Sequence, residues 1–267
     1  MAHVTRPSDL GAGLDPLIGL LSEAGFVAAE EEARELSERA AGDLELLDAF
    51  VRRRLIGEPL AWITGRASFC GIEIRVDPGV YVPRWQSEPL ARRAVERLPP
   101  DGTAIDLCTG SGAIAKVLSV QHPEALVVAT DLDQLAVACA TANGVAVSRG
   151  DLFGPLPSSL DGGVDVVVSV VPYVPTPELA FLPHDTLAFE SSLSYDGGPD
   201  GLSLLRRVAA GARRFLRPGG VLLLELGGEQ AGQLAPDLAR LAYVDVVVLF
   251  DEDGDARGIE ATAGSAD

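Results

Sequence analysis

The first quarter of the chain has the hydrophobic spacing of amphipathic helices. Apolar residues recur every three or four positions in three segments, near residues 15–24, 28–41 and 43–56. In the third segment Phe50 and Val51 belong to the apolar stripe, Asp43 precedes it as an N-cap, and Gly57 ends it. We therefore predict a small helical domain over residues 1–66 that has no chemistry of its own.

The hydrophobic pattern changes near residue 67. Alternating apolar positions over 69–76, a turn at 77–79 and a return strand at 80–82 predict a β-hairpin linker over residues 67–85. Beyond it, short Val/Ile/Leu runs alternate with helical segments. Strands are predicted near 103–107, 126–130, 145–148, 164–169, 221–225 and 243–250, and helices near 87–98, 112–121, 133–142, 201–216 and 229–241. This order predicts an α/β domain over residues 86–267 with a doubly wound, mainly parallel sheet.

A glycine loop follows the first predicted strand of this domain. The segment Asp106-Leu-Cys-Thr-Gly-Ser-Gly112 leads directly into a helix, and its glycines allow a tight turn and close approach of a ligand. Taken alone the loop does not identify the ligand, because residues 110–115 also fit the relaxed dinucleotide fingerprint G-x-G-x-x-A.

Acidic residues end the first three strands. After Asp106, Asp131 ends the second strand about 20 residues past the glycines, where a carboxylate accepts hydrogen bonds from ribose hydroxyls. Asp151 follows the third strand, where it is expected to accept the adenine amino group. A purely structural alternative is that Asp131 and Asp151 cap the following helices, although Asp133 is the better candidate for a cap.

Charge and composition exclude several classes of function. The formal net charge of −18 argues against a nucleic-acid substrate, because phosphate binding depends on Lys and Arg. The three cysteines and three histidines are scattered, so they predict neither a disulfide framework nor a metal site. No apolar run approaches the ~18–20 residues of a membrane span, and no signal-peptide pattern is present, so we expect a cytoplasmic protein without membrane attachment.

The chain resembles the HemK/PrmC protein-glutamine N5-methyltransferases from about residue 53 to residue 260. The resemblance is carried by the segment 54–65 and by Phe69-Cys-Gly71, Val80-Tyr-Val-Pro-Arg84, the glycine loop 106–115, Gly150-Asp-Leu-Phe153, Gly197-Gly-Pro-Asp-Gly201 and Arg217-Pro-Gly-Gly220. It implies a seven-stranded class I methyltransferase sheet and S-adenosylmethionine as the cofactor. It also implies a peptide-release factor as the acceptor, methylated in its Gly-Gly-Gln loop and held by the N-terminal helical domain.

The resemblance also assigns the residues of the site. Cofactor contacts are expected from Arg84, Asp106, Cys108, Thr109, Gly110, Gly112, Asp131, Leu132, Asp151 and Leu152. Catalytic positions are expected at Val170, Pro172 and Tyr173, and the Tyr173 ring is a candidate wall of the nucleophile pocket. No metal is implied.

The chain departs from the family at the catalytic motif, which reads Val170-Val171-Pro172-Tyr173 in place of Asn-Pro-Pro-Tyr. An amide nitrogen is a poor nucleophile, and the family's Asn carbonyl accepts its N–H and directs the lone pair at the methyl group. Val170 offers no such acceptor, and losing one preorganised partner typically costs ~10²–10³-fold in rate. Further changes are Trp85-Gln86-Ser87 within the Pro-Arg-Pro-x-Thr-Glu segment and Ser191 after Glu190 in place of proline.

Three hypotheses for function therefore remain open from sequence. The chain is a protein-glutamine methyltransferase that uses backbone carbonyls in place of the Asn, a methyltransferase for another protein or a small-molecule hydroxyl or amine, or a non-catalytic S-adenosylmethionine-binding protein. The proline-rich loop 174–199 is expected to cover the substrate pocket, with a purely structural cover as the alternative.

Overall fold

The computed structural model describes residues 13–182, 188–251 and 253–265. Contacts within the chain divide it into two compact units, Met1–Arg66 and Ala67–Asp267.

The first unit is helical. Its helices are α1 (Leu14–Glu23), α2 (Ala29–Ala40), α3 (Leu44–Leu55) and α4 (Leu60–Thr64). Asp43 caps α3 as expected, since its carboxylate accepts the backbone N–H groups of Glu45 and Leu46, each at 3.0 Å. Buried side chains such as Leu21, Leu36 and Val51 form the core of this unit. Helix α4 was not predicted, because five residues are too few to show a helical period.

The second unit contains two sheets. Strands β1 (Arg66–Phe69) and β2 (Ile72–Arg75) pair with each other. A second sheet has seven strands: β3 (Thr103–Leu107), β4 (Leu126–Asp131), β5 (Val147–Arg149), β6 (Val164–Ser169), β7 (Leu216–Glu225), β8 (Tyr243–Phe250) and β9 (Ala256–Ala263). Their spatial order is β5-β4-β3-β6-β7-β9-β8. The pairs from β5 to β7 are parallel, and β9 is antiparallel to both of its neighbours.

In the described part of this unit, five helices alternate with the strands: α5 (Glu88–Arg97), α6 (Ala113–Gln121), α7 (Gln134–Ala142), α8 (Ser203–Phe215) and α9 (Gln230–Arg240). Val166, Val167 and Val168 of β6 are consecutive and all fully buried, as expected for a strand covered on both faces. The predicted α/β class with a mainly parallel, seven-stranded methyltransferase sheet is thus confirmed.

The hairpin differs from its prediction. The chain reverses at Cys70 and Gly71, with φ values of 49° and 74°, and the segment at 80–82 is not a strand. Two consecutive left-handed residues form the turn that matches the twist of paired strands. The expected turn at 77–79 is present, since the Val80 N–H donates to the Asp77 carbonyl at 3.1 Å, but it follows β2 instead of joining two paired strands. The hydrophobic pattern does not predict strand β9, because its sequence Ala-Arg-Gly-Ile-Glu-Ala-Thr-Ala lacks a continuous apolar run. Within the described residues, no helix is both long and apolar enough to cross a membrane.

Candidate active site

A cavity of about 760 Å³ lies at the carboxyl ends of β3, β4 and β6. The chain leaves β3 for β4 on one side, while β6 pairs on the other side of β3. This is the topological switch point, where open α/β sheets bind ligands. The volume lies within the range of about 300–1,000 Å³ that is usual for small-molecule and cofactor sites.

Most of the residues expected at the cofactor site meet in this cavity. Its lining includes Asp106, Cys108, Thr109, Gly110, Asp131, Leu132, Asp151 and Leu152. The expected catalytic residues Val170, Pro172 and Tyr173 line it as well. Arg84 and Gly112 lie outside this lining as the described residues define it.

The two glycines of the loop have different surroundings. Gly110 has φ 57°, and a Cβ placed on it would have no atom of the described chain within 4 Å beyond its own neighbours. Gly112, with φ 81°, is the N-cap of α6, and its Cβ would lie 2.9 Å from Val145 Cγ2 and 3.0 Å from Ala140 Cβ. Gly110 therefore leaves room in the cavity, whereas Gly112 allows α6 to pack beside α7.

Asp106 fixes the glycine loop and the start of α6 through hydrogen bonds. The buried carboxylate accepts the Thr109 hydroxyl at 2.6 Å and the Ala115 backbone N–H at 3.1 Å, both at Oδ2. Burial raises the pKa of Asp106 to about 7, although both hydrogen bonds oppose the shift. The neighbouring Cys108 has φ 55°, a left-handed conformation that favours glycine, and burial raises the pKa of its thiol to about 12.

Asp131 connects the ends of β3 and β4. Its Oδ2 accepts the Gly110 N–H at 2.8 Å, and its Oδ1 accepts the Asp133 N–H at 2.9 Å. The cap of α7 is Asp133, whose carboxylate accepts the Leu135 N–H at 2.9 Å. Desolvation raises the pKa of Asp131. Each carboxylate oxygen carries further lone pairs, so Asp131 can also accept hydrogen bonds from a ligand.

Asp151 lies at the far end of the cavity and is exposed. It accepts a hydrogen bond from the Arg207 guanidinium at 2.6 Å, and Arg207 of α8 itself lines the cavity. Arg207 was not expected from sequence, since nothing distinguishes it from the other arginines of its helix. The adjacent Leu152 carbonyl accepts the Thr130 hydroxyl at 2.8 Å, which fixes this end of the site to β4.

The other end of the cavity is walled by tyrosines. The Tyr173 hydroxyl donates to Glu225 Oε1 at 3.1 Å, and the Tyr173 carbonyl accepts the Gln230 side-chain N–H at 2.8 Å. Tyr81 and Tyr195 also line the cavity, and their rings meet edge to face with centroids 5.7 Å apart. These two tyrosines and Glu225 are not among the site residues predicted from sequence. Glu225 could have been found, because it is an acid at the end of a buried apolar strand, as Asp106 and Asp131 are.

Arg84 has a different environment from the expected one. Its guanidinium donates to Glu190 Oε2 at 2.5 Å and to the Tyr195 hydroxyl at 3.1 Å. Glu190 is only 4% exposed and also accepts the Val82 backbone N–H at 3.1 Å. Arg84 thus links the segment after the hairpin to the loop that carries Tyr195.

The loop 174–199 contributes one side of the cavity through Leu182, Leu193 and Tyr195. Its two ends lie side by side, because Val174 donates to the Tyr195 carbonyl at 2.9 Å and Gly197 donates to the Val174 carbonyl at 2.8 Å. Residues 183–187 of this loop are outside the described residues. Across the described ranges, no group of three or more His, Cys, Asp and Glu residues could hold a metal ion.

A doubly wound seven-stranded sheet with an antiparallel strand inserted near one edge is the class I methyltransferase fold. In this protein the glycine loop and the acids at the strand ends line the cavity at the switch point of the sheet. The fold and the site together define an S-adenosylmethionine-dependent methyltransferase.

Comparison with known proteins gives the family. No protein-family model matches the chain. A release factor glutamine methyltransferase of Moorella thermoacetica is 40% identical over 216 residues, which cover 76% of this chain and 75% of that protein. A 4-amino-L-phenylalanine/4-methylamino-L-phenylalanine methyltransferase of Streptomyces pristinaespiralis is 36% identical over 83% of this chain and 84% of its own length. A chain of the E. cuniculi complex responsible for methylation of the eRF1 termination factor shares the fold, with a TM-score of 0.53 and 21% identity over 70% of this chain and 99% of that one. The chain belongs to the HemK/PrmC family of release factor glutamine methyltransferases, and S-adenosylmethionine is its methyl donor.

Proposed function

We propose that this enzyme transfers the methyl group of S-adenosylmethionine to the side-chain amide nitrogen of a glutamine in a peptide-release factor. The observation that carries the proposal is the continuity of one cavity from the glycine loop to residues 170–173, which occupy the place of the family's catalytic motif. A nucleophile entering from the tyrosine side would meet a donor held by the loop. Such an arrangement suits an in-line displacement, which needs reacting atoms about 3–3.5 Å apart.

The residues at the loop fit the donor. In this proposal Asp131 accepts the ribose hydroxyls, Asp151 accepts the adenine amino group, and Leu132 and Leu152 flank the adenine. Gly110 leaves the space in which the donor approaches the backbone. Asp131 adds negative charge, which favours binding of a cationic sulfonium. Arg84 is assigned to the Glu190 ion pair rather than to the donor.

The helical unit is assigned to recognition of the protein acceptor. It carries exposed apolar side chains, among them Val27 and Ile56, in addition to its own buried core. Exposed apolar groups are suited to contact another protein. A release-factor acceptor would place the enzyme in the cytoplasm, where translation ends.

The direct test is methyl transfer from labelled S-adenosylmethionine to a purified release factor. We expect label on the wild-type factor, and none on a factor whose Gly-Gly-Gln glutamine is replaced by alanine. The variant Val170→Asn should increase the rate, by up to ~10²-fold, because it supplies the side-chain acceptor that an amide nucleophile needs. Label that is independent of the glutamine would contradict the proposal.

Ile56→Glu should raise KM for the release factor and leave transfer to a free small amine unchanged.

A second candidate acceptor is an aromatic primary amine. Two observations favour it: Val170 removes the acceptor needed for an amide, and the S. pristinaespiralis relative is named for methylation of 4-amino-L-phenylalanine. The rings of Tyr81, Tyr173 and Tyr195 line the acceptor end of the cavity and could pack against an aromatic substrate. Incubation with 4-amino-L-phenylalanine and mass spectrometry separates the two candidates. A methylated amino acid together with an unmodified release factor would select the small-molecule acceptor.

A further inference from the structure

Glu225 lies next to the acceptor end of the cavity with one unpaired oxygen. The side chain is 3% exposed at the carboxyl end of β7. Its Oε1 accepts the Tyr173 hydroxyl at 3.1 Å. Its Oε2 is buried and has no hydrogen-bond partner among the described residues. Its partner Tyr173 lines the cavity, and so does Ser87.

In the described part of the chain, no guanidinium forms an ion pair with this carboxylate. Arg257 acts on it only through space, because that guanidinium donates to Asp251 at 2.6 Å and to Asp255 at 3.2 Å. Burial raises the pKa of Glu225, and the Ser87 and Tyr173 hydroxyls and the charge of Arg257 oppose the shift. A buried carboxylate with an unsatisfied oxygen disfavours folding. Its position beside the acceptor end is better explained by chemistry at the site than by stability.

We propose that Tyr173 and Glu225 together supply the hydrogen-bond acceptor that Val170 lacks: the Tyr173 oxygen accepts an N–H of the methyl-accepting nitrogen, and Glu225 positions and polarises that hydroxyl. The inference rests on the proposed function and holds for either acceptor nitrogen. A tyrosine hydroxyl that donates its only proton to a carboxylate keeps two lone pairs for accepting hydrogen bonds. Hydrogen bonds in such a chain polarise one another, which makes the Tyr173 oxygen a better acceptor than an isolated phenol.

The same pair provides a path for the proton that methylation releases. The nitrogen lone pair forms a bond to the methyl carbon, and the carbon–sulfur bond breaks with its electron pair remaining on sulfur, which yields S-adenosylhomocysteine. The nitrogen then loses a proton to the Tyr173 oxygen while the Tyr173 proton passes to Glu225 Oε1. A carboxylate whose pKa is raised by burial is suited to hold that proton until it is released to water.

A merely structural role for Tyr173 makes a different prediction. If the hydroxyl only braces the ring, its removal should have the same effect whatever residue occupies position 170. If it substitutes for the missing asparagine, the two positions are coupled, and a double-mutant cycle measures the coupling. The cycle consists of the wild type, Tyr173→Phe, Val170→Asn and the double variant, each assayed with a release factor and with 4-amino-L-phenylalanine. Tyr243→Phe is the matched control, because its hydroxyl is bonded to the Ala209 carbonyl at 2.9 Å in the core.

We expect Tyr173→Phe to lower kcat by about 10²-fold with the dissociation constant for S-adenosylmethionine unchanged. In the Val170→Asn background the same change should cost less than about 10-fold, because the asparagine carbonyl then accepts the N–H. Glu225→Gln should also lower kcat, whereas Tyr243→Phe should leave kcat unchanged. Thermal unfolding of each variant checks that it is folded.

Equal losses from Tyr173→Phe in both backgrounds would overturn the inference, as would full activity of Tyr173→Phe. A wild-type enzyme that methylates neither acceptor would overturn the proposed function and this inference with it. Activity in the wild type without coupling between positions 170 and 173 overturns the inference alone.

Discussion

The two loop glycines make a paired prediction, because the same substitution should have opposite consequences at Gly110 and at Gly112. Both residues have positive φ, at 57° and 81°, so alanine at either position is forced into the left-handed region. That strain costs about 1–2 kcal/mol for an L-residue. The surroundings then separate the two positions.

At Gly112 the added methyl group would lie 2.9 Å from Val145 Cγ2 and 3.0 Å from Ala140 Cβ, so overpacking adds about 1–3 kcal/mol. Gly112→Ala should therefore lower the free energy of unfolding by about 2–5 kcal/mol in total. At Gly110 the methyl group would meet no atom of the described residues within 4 Å beyond its own neighbours, so strain alone acts on folding. There the methyl group occupies space that the donor needs, and we expect S-adenosylmethionine to bind at least ~10-fold more weakly, a change of about 1.4 kcal/mol.

Two measurements test the pair: chemical denaturation for stability and titration calorimetry for affinity. The expected result is a less stable Gly112→Ala protein with near-normal affinity, and a Gly110→Ala protein with weakened affinity and a smaller loss of stability. If Gly110→Ala binds the donor as the wild type does, the loop does not approach the donor at that residue. The assignment of the cavity to S-adenosylmethionine at this loop would then be refuted.

Three further predictions concern charged groups. Asp131→Ala should weaken S-adenosylmethionine binding by about 100-fold in calorimetry, because hydrogen bonds to charged groups contribute about 1.5–3 kcal/mol each. Asp133→Ala should mainly lower the stability of the fold, by the roughly 1 kcal/mol that helix capping contributes. Asp106 has a folded pKa of about 7, above its usual 3.8, so its contribution to stability is fully present below about pH 4 and is lost as the pH rises toward 7. The difference in unfolding free energy between Asp106→Asn and the wild type should therefore favour the variant more at pH 8 than at pH 5. The same difference at both pH values would contradict the assignment. Arg84→Ala should lower stability by about 2 kcal/mol, because it leaves the buried Glu190 without its guanidinium, and should leave donor affinity unchanged.

The cofactor end of the site could be predicted from sequence because it depends on strand ends. Parallel strands bring their carboxyl ends to one edge of the sheet, so acids that end successive strands meet there without further information. Asp106, Asp131 and Asp151 meet in one cavity for this reason. The separate roles of Gly110 and Gly112 could not be predicted, because they depend on the distance to Val145, which is 33 residues further along the chain than Gly112.

The acceptor end was less accessible to sequence reasoning. Tyr81 follows the hairpin and Tyr195 lies on the long loop, and no periodicity indicates that two such segments meet. Arg84 was expected at the donor because its motif matched the family, but its partner Glu190 is 106 residues away and only the fold brings the two together. Strand β9 pairs with β7 on one side and with β8 on the other, but its alanine, glycine and glutamate residues gave no continuous hydrophobic signal in the sequence.

The replacement of asparagine by Val170 changes the environment of the reacting centre as well as its hydrogen bonding. When a neutral nitrogen attacks a sulfonium, the positive charge that starts on sulfur is shared with nitrogen in the transition state. Apolar surroundings stabilise a dispersed charge better than a localised one, so an apolar wall at Val170 does not by itself oppose the reaction. The nitrogen still has to lose a proton once it is methylated, and neither valine nor an asparagine carbonyl is basic enough to take it. A buried carboxylate reached through the Tyr173 hydroxyl is, so the proposed Tyr173–Glu225 pair serves this step as well as supplying the hydrogen-bond acceptor that Val170 lacks.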